Sequence, residues 1–424
     1  MKMKHMKQKY VIIGASAAGI AAARTIRNLS QAEVTIISAD ESIYSRCMLH
    51  KFISGERSER ELSFVNDNDD NTESFFSGNN IRFVSGVTVS GVDTKDKRVI
   101  WDNGGESYDK LLIATGSESV CIPIDGLADA ANVCSLYNLS DAKLIREKAS
   151  AANNSGNIVI VGAGLIGLDA AYALVELGKK PVIIDVSPSI LSSNLDTHAA
   201  SVYEAKFAEA GCSFRLGVKV SGVISDESNN VTNIVLESGE KLPCVFAIVA
   251  AGVHPAVGFL RNSGINCGRG VIVDEYMRTS EDGVFAAGDV TALSNSWSDA
   301  MKQGEAAAYN MCGIEKAYTD TFIQKNTLNF FGLQTLSAGR VIPSDGDEVY
   351  CREDIVRYEK IIVRDGVPVG VVLQGDISHS GFWQHMIKNK ISISGIPKPI
   401  WKISFADSFA ISKNGEYKWA EIRG

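Results

Sequence analysis

Gly162, Gly164 and Gly167 stand at the spacing G-x-G-x-x-G, between the β-branched run Ile158 to Val161 and the small, apolar stretch "LIGLDAAYALVELG". Glycines so placed between a strand and a helix handle phosphate. The first allows a tight turn, the second lets backbone amides approach a pyrophosphate, and the third packs helix on strand, with Leu165 and Ile166 completing the turn. A second strand, Pro181 to Ile184, follows and ends at Asp185. An acid there accepts hydrogen bonds from ribose hydroxyls and repels a 2′-phosphate. No arginine follows Asp185 closely, so NAD(H) is expected rather than NADP(H).

A looser copy lies near the start, where Gly14-Ala15-Ser16-Ala17-Ala18-Gly19 joins the strand-like "YVII" to the alanine-rich "AGIAAARTIRNL". Ser16 takes the place of the middle glycine, and the next strand, "AEVTIISAD", offers Ser38 and Asp40 as ribose contacts. The stretch also has the parts of an export signal, since Lys2, Lys4, Lys7 and Lys9 precede an apolar run ending in alanines. The stricter second copy decides between the two readings. Two dinucleotide motifs imply two dinucleotides, one a source of hydride and the other a held flavin.

Two further segments fit a flavin. "YDKLLIATGS" contains a buried strand, Lys110 to Ala114, that ends in Thr115-Gly116, and "RTSEDGVFAAGDV" ends in Gly288-Asp289 before the amphipathic "SWSDAMKQGEAAAYNM". With both segments in this order relative to the glycine motifs, the chain resembles the FAD- and NAD(P)-dependent pyridine nucleotide oxidoreductases over nearly its whole length. The resemblance implies an α/β fold of glutathione-reductase type, with two Rossmann-like dinucleotide-binding domains and a small C-terminal α+β domain. It implies that Asp289 binds the flavin's ribityl chain and that the following helix points its N-terminus at the ring, where it favours developing negative charge. By the same resemblance Arg46, Ala114 and Gly252 join the residues expected at the cofactors, and Lys51 pairs with Asp169 near the flavin. From the residues alone, a plain surface lysine is the preferred reading of Lys51.

The elements that must position these residues divide the chain into a split FAD domain (1–124 and 254–313), an inserted NAD domain (125–253) and a tail (314–424). A chain of 424 residues with 45% hydrophobic content is long enough for two or three such cores. Its net charge of −8 is spread through mixed sequence, which argues against nucleic acid or an anionic membrane as the main partner. No apolar run reaches the roughly 20 residues of a membrane helix. Eight cysteines lie scattered without metal-ligand spacing, so reduced thiols in a cytoplasmic chain are expected and no metal centre is. The polar segment Asn66 to Asn80 reads as a surface loop, with a metal site at Asp67, Asp69 and Asp70 the lesser alternative. In the tail, Asp365-Gly366 marks a hairpin.

What receives the electrons turns on "YSRCMLHKFISGE", Tyr44 to Glu56. An internal redox disulfide needs two cysteines a few residues apart, and this stretch has Cys47 alone. Tyr44-x-Arg46-x-x-Leu49 with Gly55-Glu56 resembles the FAD-containing front half of NADH-dependent nitrite reductase large subunits and the rubredoxin reductases. "LNFFGLQTLSAGR" and "GVVLQGDISHSGFWQHMI" extend that likeness. It implies electron transfer from NADH through FAD to a separate rubredoxin or iron–sulfur protein. A coenzyme A disulfide or polysulfide reductase, or an NADH oxidase, using Cys47 as a redox thiol is the alternative, and a non-catalytic NADH sensor is a third. Cys47 suits a packed thiol and an electron relay equally well. The oligomer, a homodimer included, stays open.

Overall fold

The computed structural model describes residues 7–65, 72–151, 157–320, 324–411 and 413–419. Five parallel strands form the first sheet, in the spatial order Val284–Ala286, Lys110–Ile113, Lys9–Ile13, Glu33–Ile37 and Ile81–Val84. These strands are short and almost wholly apolar because both faces are covered. Tyr10 and Ile12 pack on one side with the helices Ala17–Leu29 and Trp297–Met311. Val11 and Ile13 pack on the other, with the small antiparallel sheet of Val89–Asp93, Arg98–Trp101 and Gly104–Ser107. The two helices cross so closely that a Cβ at Gly304 would lie 2.1 Å from the Ala18 carbonyl oxygen.

The second sheet repeats the plan, with parallel strands in the order Ser213–Leu216, Val182–Asp185, Ile158–Val161, Phe246–Val249 and Val133–Ser135. Helices Leu139–Ala151, Leu165–Glu176 and Thr197–Glu209 bury one face, and a three-stranded antiparallel sheet covers the other. The chain passes between the two sheets along an antiparallel ribbon, Ser117–Ser119 against Val253–Pro255. A five-stranded antiparallel sheet follows, with Glu348–Glu353 at one edge and helix Ser380–Lys388 packed on one face. Its hairpin turns at Asp365 (φ 51°) and Gly366 (φ 72°), two left-handed residues as a tight two-residue hairpin demands.

One expectation needs correction. Within the polar segment 66–80, Thr72–Gly78 is a helix that buries Phe75 and Phe76, and Phe76 stacks on Phe83 with ring centroids 4.0 Å apart. Two apolar rings on a short amphipathic turn outweigh the surrounding polar residues. The candidate metal ligands Asp67, Asp69 and Asp70 lie outside the described residues. Among the described residues no cluster of metal-ligating side chains occurs, and no helix is long and apolar enough to cross a membrane.

The C-terminal sheet is fastened to the second unit by a buried polar knot. Asp196 caps helix Thr197–Glu209 by accepting from the Ala199 amide at 3.0 Å. Its other oxygen accepts from the Tyr358 hydroxyl at 2.7 Å and from the Lys360 ammonium at 2.8 Å. Burial alone would raise the Asp196 pKa, but the Lys360, Ala199 and Tyr358 bonds together hold it below the usual carboxylate range. Asp196→Ala is expected to cost about 3 to 5 kcal/mol by stranding the Lys360 charge and removing the cap, and Asp196→Asn less, because the amide still caps. A carboxylate with a depressed pKa contributes stability above its unfolded pKa and loses it as pH falls through the folded value. Urea midpoints of wild type and Asp196→Asn should therefore differ at neutral pH and converge in acid.

Candidate functional site

Both glycine turns obey one steric rule. Gly162 has φ +118°, and a Cβ there would lie 2.2 Å from the Ala250 carbonyl oxygen, while a Cβ on Gly167 would lie 1.9 Å from that of Gly162. In the first copy Gly14 has φ +110° and the corresponding distance to the Ala114 oxygen is 2.1 Å, with Gly19 meeting the Gly14 oxygen at 1.9 Å. Gly164 differs from these, because no atom lies within 4 Å of a Cβ built there. Its counterpart can therefore be Ser16 without collision. Ser16 and Gly164 give their helices no side-chain cap, whereas Asp196 and Ser296 do cap theirs. The first-turn amides, at Ala17 and Ala18 in one helix and at Leu165 and Ile166 in the other, are thus arranged as anion donors. Two such turns suit two pyrophosphates.

The strand ends beside the turns behave differently. Asp185 accepts from the Ala163 amide at 2.6 Å and from the Ser187 amide at 2.7 Å, one bond to each oxygen, so each keeps lone-pair capacity for a hydroxyl. In the first copy Ser38 is buried and accepts from the Asp40 amide at 3.1 Å. Asp40 is turned back onto the protein, accepting from the Tyr44 hydroxyl at 2.8 Å and the Arg46 guanidinium at 2.7 Å. Arg46 also donates to the Tyr137 carbonyl at 2.9 Å and lies over the Tyr137 ring at 4.5 Å. Asp40 is a clamp for Arg46 here, and Tyr137, which the sequence reading passed over, is the surface against which Arg46 is clamped.

Ala114, Thr115 and Gly116 lead from the first sheet into the ribbon. Thr115 donates to the Ala256 carbonyl at 3.1 Å, and Gly116 accepts from the Ala256 amide at 3.0 Å. On the returning strand Gly252 accepts from the Val120 amide at 2.9 Å. Gly288 donates at 2.9 Å to Gln303, a fully buried side chain on the crossing helix. Burial raises the Asp289 carboxyl above its ordinary pKa, while a Ser117 hydrogen bond and the Arg46 charge pull it back toward the ionised form. The structure therefore draws Arg46, Ser117 and Asp289 into one neighbourhood from three distant parts of the chain.

Cys47 belongs to the same neighbourhood. The residue is exposed, but partial burial of its thiol raises the pKa, and the nearby negative charges of Asp169 and Asp289 raise it further. A pKa raised in this way disfavours the thiolate, which is the nucleophilic form. Lys51 does not reach Asp169: its ammonium is held by Glu56 at 2.7 Å. His50 faces Asp169 instead, Nδ1 to Oδ1 at 3.8 Å. In helix Leu49–Ser54 the buried Leu49, Phe52 and Ile53 set the inward face, which leaves Lys51 pointing away and His50 on the flank. That apolar pattern is the signal by which His50 could have been found.

Residues 8–304 match the model of the pyridine nucleotide-disulphide oxidoreductases, and residues 325–391 that of the rubredoxin NAD+ reductase C-terminal domain. Nitrite reductase [NAD(P)H] of Bacillus subtilis is 28% identical over 92% of this chain, which spans about half, 48%, of that relative's length. Rubredoxin-NAD(+) reductase of Pseudomonas putida is 30% identical over 72% of this chain and 80% of its own. A covalent putidaredoxin reductase–putidaredoxin complex has the same fold, with TM-score 0.80 and 20% identity over 91% of this chain and 94% of the other. With the two glycine turns, the inserted second unit and the matched residues in agreement, the chain belongs to the pyridine nucleotide-disulphide oxidoreductase family.

Proposed function

We propose that the chain takes hydride from NADH onto FAD and delivers the electrons to a separate rubredoxin or iron–sulfur protein. FAD and NAD(H) are the cofactors that go with this family and with two uncapped glycine turns. The observation that carries the reading is the pairing of those turns with a Cys47 that has no second cysteine in its stretch of sequence with which to form a redox disulfide, its thiol pKa being raised by burial and by Asp169 and Asp289. The names of the relatives and the rubredoxin-reductase type of C-terminal domain support the choice of acceptor. The domain division read from the sequence, 1–124 and 254–313 for FAD, 125–253 for NAD and 314–424 for the tail, is part of the proposal, and the two parallel sheets with a third, antiparallel one support it. A cytoplasmic setting, where NADH is supplied, belongs to the same proposal.

A flavin supplies the conversion between two-electron and one-electron chemistry. The protein's own part is positioning. The Ala17 and Ala18 amides would hold the FAD pyrophosphate, Asp289 the ribityl chain, and Arg46, braced by Asp40 and Tyr137, the cofactor side of the cleft. The Leu165 and Ile166 amides and Asp185 would hold NADH, so that hydride transfer is effectively unimolecular.

Anaerobic titration with NADH, followed by addition of rubredoxin, ferredoxin, coenzyme A disulfide and oxygen in turn, tests the proposal. Rapid reoxidation by an iron protein is expected, and disulfide reduction as the sole fast reaction would refute it. NADH should be preferred over NADPH, and Asp185→Asn should narrow the preference by on the order of tenfold, equivalent to about 1.4 kcal/mol of repulsion. Equal kcat/KM for both nucleotides in wild type would contradict the Asp185 assignment. Cys47→Ser should keep its FAD and leave reduction of the iron protein nearly unchanged. Loss of that reaction, or consumption of more than one NADH per flavin by wild type, would establish Cys47 as a relay.

A further inference from the structure

One pair of ionisable groups beside Cys47 has no part in the electron path just described. His50 and Asp169 meet where helix Leu49–Ser54 packs against helix Leu165–Glu176, with Nδ1 and Oδ1 3.8 Å apart. The adjacent cation, Lys51, is already committed to Glu56. The Cys47 backbone stands close enough to favour the charged imidazole, which places the pair beside the thiol.

The surroundings press both members toward their neutral forms. Burial, reinforced by Lys51, lowers the His50 pKa, against the opposing pull of Glu56 and the Cys47 carbonyl. Burial raises the Asp169 carboxyl to about 7, although water reaches 33% of its side chain and moderates the effect. A carboxylic acid facing a neutral imidazole and a carboxylate facing an imidazolium hold the same single proton and the same net charge, so at 3.8 Å either member can carry it. The other charged or titratable groups around it are Cys47 with Asp289 beyond it, Lys51 and Glu56 on the His50 side, and Tyr172 and Glu176 farther along the helix of Asp169. From helix Leu139–Ala151, Arg146 donates to the Phe52 carbonyl at 3.4 Å.

We propose that His50 and Asp169 together bind the proton that offsets the negative charge entering the cleft on reduction, and release it when the electrons leave. The proposal rests on the flavoprotein reading above. Hydride carries two electrons and one proton from NADH and leaves NAD+ behind, so the cleft gains one negative charge. One further H+ comes from solvent and lodges on the pair. When two oxidised acceptor centres have each taken one electron, the proton that arrived with the hydride returns to solvent and the pair gives up its own. The cleft is then back at its starting charge.

The added negative charge raises the pair's affinity for its proton, so uptake should be largest above the pH at which the oxidised pair empties and should fade in acid, where the pair is already loaded. The test is electrochemical reduction of the FAD-bound protein in weakly buffered solution, with protons counted by an indicator dye. Uptake per two electrons at about pH 8 should exceed that of the double variant His50→Asn, Asp169→Asn by about one proton, with the excess gone at about pH 5.5. Independently, ¹⁵N-histidine spectra of the wild-type holoprotein, which has six histidines, should show the His50 ring nitrogens shifting on reduction at about pH 8. Asp169→Asn should change the His50 titration even in the oxidised protein. Equal uptake in wild type and double variant, or a His50 signal indifferent to reduction, would overturn the proposal. Should the double variant lose FAD, the wild-type spectra decide. Isolated protein that binds no FAD at all would instead count against the flavoprotein reading itself.

Discussion

Everything in the two cofactor units hangs on one backbone approach, made twice. A Cβ on Gly14 or Gly162 would lie 2.1 or 2.2 Å from the carbonyl oxygen of Ala114 or Ala250, and Gly19 and Gly167 must let a helix start against that same turn. The approach sets the helix at the tip of the sheet with its first amides directed outward. It also explains why Ala114 and its successors matter. Ala114, just past the strand Lys110–Ile113, supplies the carbonyl that forbids a side chain at Gly14, and the chain then runs on through Thr115 and Gly116 into the ribbon between the two units. A steric constraint at one turn thereby fixes where the chain crosses to the next unit.

That constraint is also why so much was readable without coordinates. Glycine spacing records a backbone requirement directly, so both turns, both parallel sheets and the hairpin at Asp365-Gly366 follow from local sequence. Interactions that depend on the rotation of a helix were less legible. Helix Leu49–Ser54 steps about 100° per residue, and the difference between Lys51 and His50 as the neighbour of Asp169 is one such step. The family resemblance favoured the lysine. The inward set of Leu49, Phe52 and Ile53 favours the histidine, and the packing follows that set.

Other features left no local trace. Tyr358 and Asp196 bond across 162 positions of sequence, and nothing near either residue announces the other. Tyr137 lies 91 positions from the arginine it supports. Thr72–Gly78 was hidden for a different reason: its polar neighbours dominate the composition, while two phenylalanines on one side supply the burial that makes a helix.

The ribbon of Ser117–Ser119 and Val253–Pro255 is a two-stranded connection, the kind of neck about which an inserted unit could swing. The knot of Asp196, Tyr358 and Lys360, with Gln374 donating to the Ala199 carbonyl at 3.0 Å and Tyr203 to that of Leu333 at 2.6 Å, changes what would have to move. The second unit and the C-terminal sheet share a latch of buried bonds, so bending at the neck alone meets resistance from a second attachment. A gate hinged on one side and latched on the other opens by small shear along the latched face more readily than by a wide swing.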